Sequence, residues 1–93
     1  MDTKIKRRIY LSGRVQGVGC RAYIKKNAKI LNLHGWVKNL DDGRVEAVFS
    51  GKQEKVQEML RLASKGPSLG KISNMKVVDE EYREEFDDFV IRY

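Results

Sequence analysis

Between residues 13 and 21 the chain reads Gly13-Arg14-Val15-Gln16-Gly17-Val18-Gly19-Cys20-Arg21. Glycines let consecutive peptide N–H groups curl around a small anion, and a helix that starts just after them adds its own unpaired donors. Arg21 can close on the same anion with a fixed fork of N–H groups. That is the outline of a phosphate site, although from spacing alone the same run also fits a plain tight turn. Asn39, just before the turn Asp41-Asp42-Gly43, reads by itself as a strand-end or turn residue. Cys20 beside Arg21 raises a third possibility, because a thiolate at a helix start is stabilised by the helix dipole and by a neighbouring cation. The cysteine phosphatases that attack phosphotyrosine place five residues between cysteine and arginine, however, and that spacing would require a cysteine at position 15, which is Val15. Cys20 reads instead as a small buried hydrophobe.

For these groups to meet, a strand must deliver the loop and a helix must carry Arg21. Ile9 and Leu11 alternate with Tyr10 and Ser12, which predicts a short strand with one face on the core. From Cys20 the period changes. Cys20, Ile24, Ala28 and Leu31 share one face of a helix, with Lys25, Lys26 and Lys29 largely away from it. Asn32 at its end suits a left-handed cap. His34 to Leu40 and Arg44 to Ser50 read as two strands around the Asp41-Asp42-Gly43 hairpin turn. Ser50 with Gln53 has the form of a capping box for a second helix, whose buried stripe is Val56, Met59, Leu60 and Ala63 and which Gly66-Pro67 stops. Ile72 to Val78 and Phe86 to Tyr93 are predicted as strands, the latter alternating Phe89, Ile91 and Tyr93 against Val90 and Arg92. The expected fold is an α/β (α+β) two-layer sandwich: a ferredoxin-like βαββαβ order, a mostly antiparallel sheet and an extra C-terminal strand. The crossover from residue 12 to 34 puts the glycine loop at a strand's C-terminal end, a favoured place for ligands.

Length and composition bound the reading further. The 93 residues fit one domain spanning 1–93, and the balance of 41% apolar to 34% charged residues is that of an ordinary folded protein. No run approaches the roughly 18 apolar residues of a membrane span. The start, Met1 to Arg8, lacks the apolar core of a secretory signal, so a cytoplasmic setting is expected. One cysteine excludes an internal disulfide framework and a cysteine-cluster metal site. The net charge of +6 is unevenly spread: residues 1–38 hold ten Lys or Arg against one acid, Asp2, whereas residues 79–88 hold seven acids against Arg83. Such a basic half either gathers anions or is partly neutralised by the acidic end.

The run Gly13 to Arg21 resembles the acylphosphatase signature, G-R-V-Q-G-V followed by a phenylalanine and an arginine, with Cys20 in the place of the phenylalanine. A second motif of that family is matched by Gly35-Trp36-Val37-Lys38-Asn39-Leu40 and the following Asp41-Asp42-Gly43-Arg44-Val45-Glu46. Gly66-Pro67-Ser68 also fits, and the resemblance covers essentially the whole chain. It implies a hydrolase that cleaves acyl phosphates to a carboxylate and inorganic phosphate on a ferredoxin-like fold, with no cofactor and no metal. By motif position, Arg21 and Asn39 are the catalytic residues it implies, with Arg21 on the phosphate and Asn39 on the water. The phosphate cradle corresponds to Gln16, Gly17, Val18, Gly19, Cys20 and Arg21. Expected partners are a small acyl phosphate and inorganic phosphate as product and competitive inhibitor, with no membrane, no nucleic acid and a monomeric state. The departures, Cys20 and an Asn32 where a glycine commonly ends the first helix, bear on packing rather than on catalytic groups.

Two other functions share this fold order. An RNA-binding domain needs exposed aromatics on its central strands; Tyr10 and Phe49 are available, but the K/R-G-F/Y-G/A-F pattern is absent. A phosphate-binding domain without turnover could keep the whole loop and lose only the placement of the water.

Overall fold

The computed structural model describes residues 3–93; Met1 and the acid Asp2 of the basic half lie outside the described residues. Alternation around Ile9 and Leu11 produces strand β1, Lys4–Arg14, which leads through the glycine loop into helix α1, Cys20–Ile30. Strands β2, His34–Asn39, and β3, Val45–Lys52, form the expected hairpin. Helix α2, Gln53–Lys65, strand β4, Lys71–Glu80, and a short strand β5, Phe89–Ile91, complete the order. The five strands lie as β4-β1-β3-β2-β5, antiparallel except that β5 runs parallel to β2. The sheet is therefore mixed, and the extra C-terminal strand is β5.

One face of the sheet meets both helices. Ile9, Leu11, Val37, Val45, Ala47 and Phe49 of the sheet are buried against Ile24 and Ala28 of α1 and Val56, Met59 and Ala63 of α2. Fully burying a side chain of this size is worth about 1.5–3 kcal/mol. Phe89 stacks on Phe49 with ring centroids 5.5 Å apart, which fixes the short β5 against the core beside β2. Asn32 takes the left-handed conformation (φ 57°), and the N–H groups of Asn32 and Leu33 donate to the carbonyls of Lys29 and Ala28. Those two bonds close the end of α1 without a glycine.

Two expectations are corrected. The capping box does not form: Ser50 is buried inside β3 and Lys52 holds the N-cap of α2 with no side-chain bond. Strand β3 runs on to Lys52 because β1 supplies partners as far as Lys4, and the Gln53 N–H is satisfied by the Thr3 carbonyl instead, at 2.8 Å. The last strand is also shorter than Phe86 to Tyr93. Its ladder is confined to Phe89–Ile91 and flanked by Gly35 N–H to Asp88 O and Arg92 N–H to Val37 O.

The face away from the helices is polar and accounts for much of the charge pattern. On that face Lys6 pairs with Glu80 and Glu85 and Arg8 with Glu46 and Glu80, while Arg7, opposite Phe49 on the other face, pairs with Asp79, so the acidic segment folds back onto the basic first strand. The Arg8 guanidinium holds the Glu80 carboxyl below the usual carboxylate range. Trp36 lies on this face, buried beneath Arg8, Lys38 and Arg92, whose cationic groups sit 5.5, 5.5 and 4.7 Å from its ring. It thus cannot fill space beside Cys20, which packs on the helix side. Among the described residues no helix is long and apolar enough to cross a membrane.

Candidate active site

Strands β1 and β2 both run antiparallel to β3, so their C-terminal ends lie at the same end of the sheet with only β3 between them. The loop that leaves β1 and Asn39, the last residue of β2, therefore come together. Leu11 and Asn39 both stand opposite Val45, which places the three on one face of the sheet. Leu11 and Val45 belong to the helix-covered core, so Asn39 is on the side of α1.

The loop's glycines are there for the backbone. Gly17 and Gly19 have φ of 74° and 80°, the left-handed region, and Gly19 is the N-cap of α1. A Cβ on either would meet nothing within 4 Å, so packing does not require glycine there; conformation does, and the space over the loop is open. The N–H groups from Gln16 through Ala22 find no acceptor among the described residues. The first intrahelical bond is Tyr23 N–H to Gly19 O, at 3.0 Å. A row of unpaired donors over open space, at a helix N-terminus, is suited to the oxygens of an anion.

Gly17, Gly19, Cys20, Arg21 and Asn39 all line one cavity of about 260 Å3. Asn39 is one of its walls, and the carboxamide oxygen of that residue, Oδ1, is fully buried with no hydrogen-bond partner. Leaving such an acceptor unpaired costs about 1–3 kcal/mol, which marks the position as one where a water or a ligand belongs. The Arg21 guanidinium lies at the rim over the Tyr93 ring, 5.0 Å from its centroid.

Two of the anticipated cradle residues point elsewhere with their side chains. Val18 packs against the core, and Gln16 turns toward the β2–β3 hairpin; what either offers an anion is its backbone N–H. Arg14 is exposed at the end of β1 and does not line the cavity. His34, at the opposite end of β2, has Nδ1 3.1 Å from the Phe86 carbonyl oxygen. A larger cavity, about 400 Å3, lies at that end between Lys4, Lys55, Tyr82, Glu84, Phe86 and Asp87. Its charges are of both signs, with Glu84 and Asp87 unfavourable to an anion, and among the described residues the one orphaned buried side-chain polar atom belongs to Asn39, so the smaller cavity is the chemically equipped one.

Cys20 has only 2% of its surface exposed, and burial pushes its thiol up to about 11. At neutral pH it is a thiol rather than a thiolate, a small core residue at the foot of α1. Cys20→Ser is accordingly expected to keep turnover within a few-fold, because the loop N–H groups and Arg21 stay in place. The buried hydroxyl should lower stability by about 1–3 kcal/mol. Denaturation midpoints and turnover of the purified variant check both halves; a folded Cys20→Ser protein without turnover would restore a cysteine nucleophile.

The cavity also has walls that the local motifs did not disclose: Val15 and Ala22 beside the loop, Ile91 and Tyr93 from the C-terminal segment. The alternation of Phe89, Ile91 and Tyr93 did carry a signal that these residues share a face. What it lacked was the partner strand, and only the parallel pairing of β5 with β2 brings that face to the site.

Known proteins are similar to this chain over nearly its full length. The sequence profile of the acylphosphatase family matches residues 7–91. An acylphosphatase of Syntrophobacter fumaroxidans is 42% identical over 97% of this chain and 93% of its own length. One from Methanothrix thermoacetophila is 45% identical over 92% of this chain and 94% of its own. The crystal structure of acylphosphatase from Bacillus subtilis superposes with a TM-score of 0.92 at 36% identity, covering 96% of this chain and 99% of that one. The glycine loop, Arg21 and Asn39 all fall inside the matched span, and on sequence and fold together the chain belongs to the acylphosphatase family.

Proposed function

We propose that this chain hydrolyses acyl phosphates by direct attack of one positioned water on phosphorus. The loop N–H groups and Arg21 hold the phosphoryl oxygens, and Asn39 aims the water. The observation that carries this reading is the unpartnered, buried Oδ1 of Asn39, a residue that lines the same cavity as Gly17, Gly19, Cys20 and Arg21 of the loop with its unpaired donors. An acyl phosphate leaves as a carboxylate of low pKa, so its departure requires no general acid. What must be supplied is a place for three phosphoryl oxygens and an aligned nucleophile, which is positioning and electrostatics. Oδ1 accepts a hydrogen bond from the water and turns a lone pair of the water oxygen toward phosphorus. As the new P–O bond forms, the bond to the acyl oxygen breaks and the carboxylate takes the electron pair. Asn39 cannot take the water's proton, which passes to the phosphate or to solvent.

The donors in this set are N–H groups and a guanidinium, which meet a dianion directly and need no bridging metal. Turnover of acetyl or benzoyl phosphate should therefore be unchanged by EDTA, with inorganic phosphate a competitive inhibitor because it fills the same cradle. Phosphate release measured with and without chelator, at several phosphate concentrations, tests this. A protein that is inactive until a divalent metal is restored would sink the reading. The lining of the site comes from one chain, which favours a monomer. Phosphate binding in the absence of any turnover would instead identify a binding domain.

A further inference from the structure

Gln16 contributes an unpaired backbone N–H to the loop, while its side chain is engaged in a different direction. Its Nε2 donates to the Leu40 carbonyl at 2.8 Å and to the Arg44 carbonyl at 2.9 Å. Those carbonyls belong to the two arms of the β2–β3 hairpin at its mouth, where Leu40 N–H also donates to Arg44 O at 2.8 Å. Both amide protons of Gln16 are therefore used, each on a different arm of a hairpin more than 20 residues further along the chain. Leu40 follows Asn39 directly, so the Gln16 amide ends one peptide unit from the residue with the orphaned oxygen.

Among the described residues no other hydrogen bond links residues 15–19 to the hairpin. Strands β1 and β2 do not pair with each other, since β3 lies between them. Apart from Gln16, the spacing between loop and Asn39 is transmitted only through β3 and the core. The geometry assigns Gln16 a positioning role: its carboxamide is a strut that sets the distance between the phosphate cradle and Asn39. A water held by Asn39 then stands in line with a phosphorus held by the loop. The assignment rests on the reading of Asn39 as the residue that aims the water. A misplacement of the order of 1 Å between reacting groups is enough to cost about a hundredfold in rate.

Steady-state kinetics of Gln16→Met, Asn39→Ala and the double variant on benzoyl phosphate test it, with inorganic phosphate as the probe of the cradle. Methionine keeps the length of the side chain and removes both donors. Gln16→Met is expected to lower kcat about tenfold or more, with the Ki of phosphate within about threefold of the parent. In the Asn39→Ala background the same change should cost less than about threefold, because no aimed water remains to be misplaced. Gln16→Glu supplies a readout that a purely structural role would not move. As a carboxylate it cannot donate and is repelled by both carbonyls; as the protonated acid it can donate to one of them. Its kcat relative to the parent should recover as the pH falls through the titration of that carboxyl.

A Gln16→Met protein with kcat within about twofold of the parent overturns the assignment. So does a loss that multiplies in full with that of Asn39→Ala, or one that falls on the phosphate Ki alone. Should Gln16→Met fail to fold, the pH profile of Gln16→Glu decides, and absence of recovery counts against the strut. An Asn39→Ala single variant that retains its kcat removes the water-aiming reading, and this proposal with it, whatever Gln16→Met does.

Discussion

Asn39→Ala should lower turnover about a hundredfold or more while leaving the Ki of inorganic phosphate within about threefold, because the group it removes acts on the water and not on the phosphate. Removing one preorganised hydrogen-bonding group from a reaction centre costs about 3 kcal/mol of transition-state energy. Phosphate, by contrast, is held by loop donors and Arg21, none of which the substitution touches. The expected pattern is a loss in kcat and kcat/KM together, the signature of an interaction made only in the transition state. Stability should move the other way or not at all. The substitution takes away a buried acceptor that has no partner in the folded protein, and no hydrogen bond is lost with it. A lower turnover at an equal or higher denaturation midpoint would separate a functional cost from a folding one. If a folded Asn39→Ala protein failed to bind phosphate, the residue would belong to the cradle and the water would need another guide.

The parts of this site that could be read from the sequence are those whose physics is local. Glycines at 17 and 19 report a backbone that must enter the left-handed region, and both do. The stripe from Cys20 to Ala28 reports a helix, and the residue after Gly19 begins one. Asn32 reports a left-handed cap for the same reason. Asn39 by itself is a strand-end residue; the family motif singled it out, and the sheet order then explained how it reaches a loop attached to β1. The misread elements depend on partners far along the chain. Ser50 has the right spacing to Gln53 for a cap, yet β1 keeps pairing with β3 past Ser50 and holds it in the sheet. The extent of β5 and the arrival of Ile91 and Tyr93 at the cavity are set by pairing with β2, more than 50 residues earlier. Gln16 is the instructive case. Its motif position drew attention to its backbone, while its side-chain bonds to Leu40 and Arg44 are contacts that no local pattern announces.

Arg21→Ala should weaken phosphate binding and catalysis together, the opposite division to that expected at Asn39. A guanidinium can give a phosphoryl group two parallel charge-assisted bonds, each worth about 1.5–3 kcal/mol. Allowing for the partly open cavity, loss of both corresponds to about 3–4 kcal/mol, a rise of about a hundredfold or more in the Ki of phosphate. The loop N–H groups remain, so residual binding should persist rather than vanish. The fall in kcat/KM should exceed the loss in phosphate affinity, because charge on the phosphoryl oxygens and their geometry both change on the way to the transition state. Arg21→Lys is expected to recover part of the affinity and little of the rate, since an ammonium supplies charge without the planar fork that orients the group. Stability should be affected little. The contact that Arg21 makes in the unliganded protein is with Tyr93, which is 98% exposed, and a cation over an exposed ring contributes only about 0.5–1 kcal/mol. Calorimetric titration of phosphate into the parent, Arg21→Ala and Arg21→Lys, set beside their kcat/KM values, separates the terms. An Arg21→Ala protein that binds phosphate as the parent does, and loses only turnover, would confine Arg21 to the transition state and leave the loop alone as the ground-state cradle.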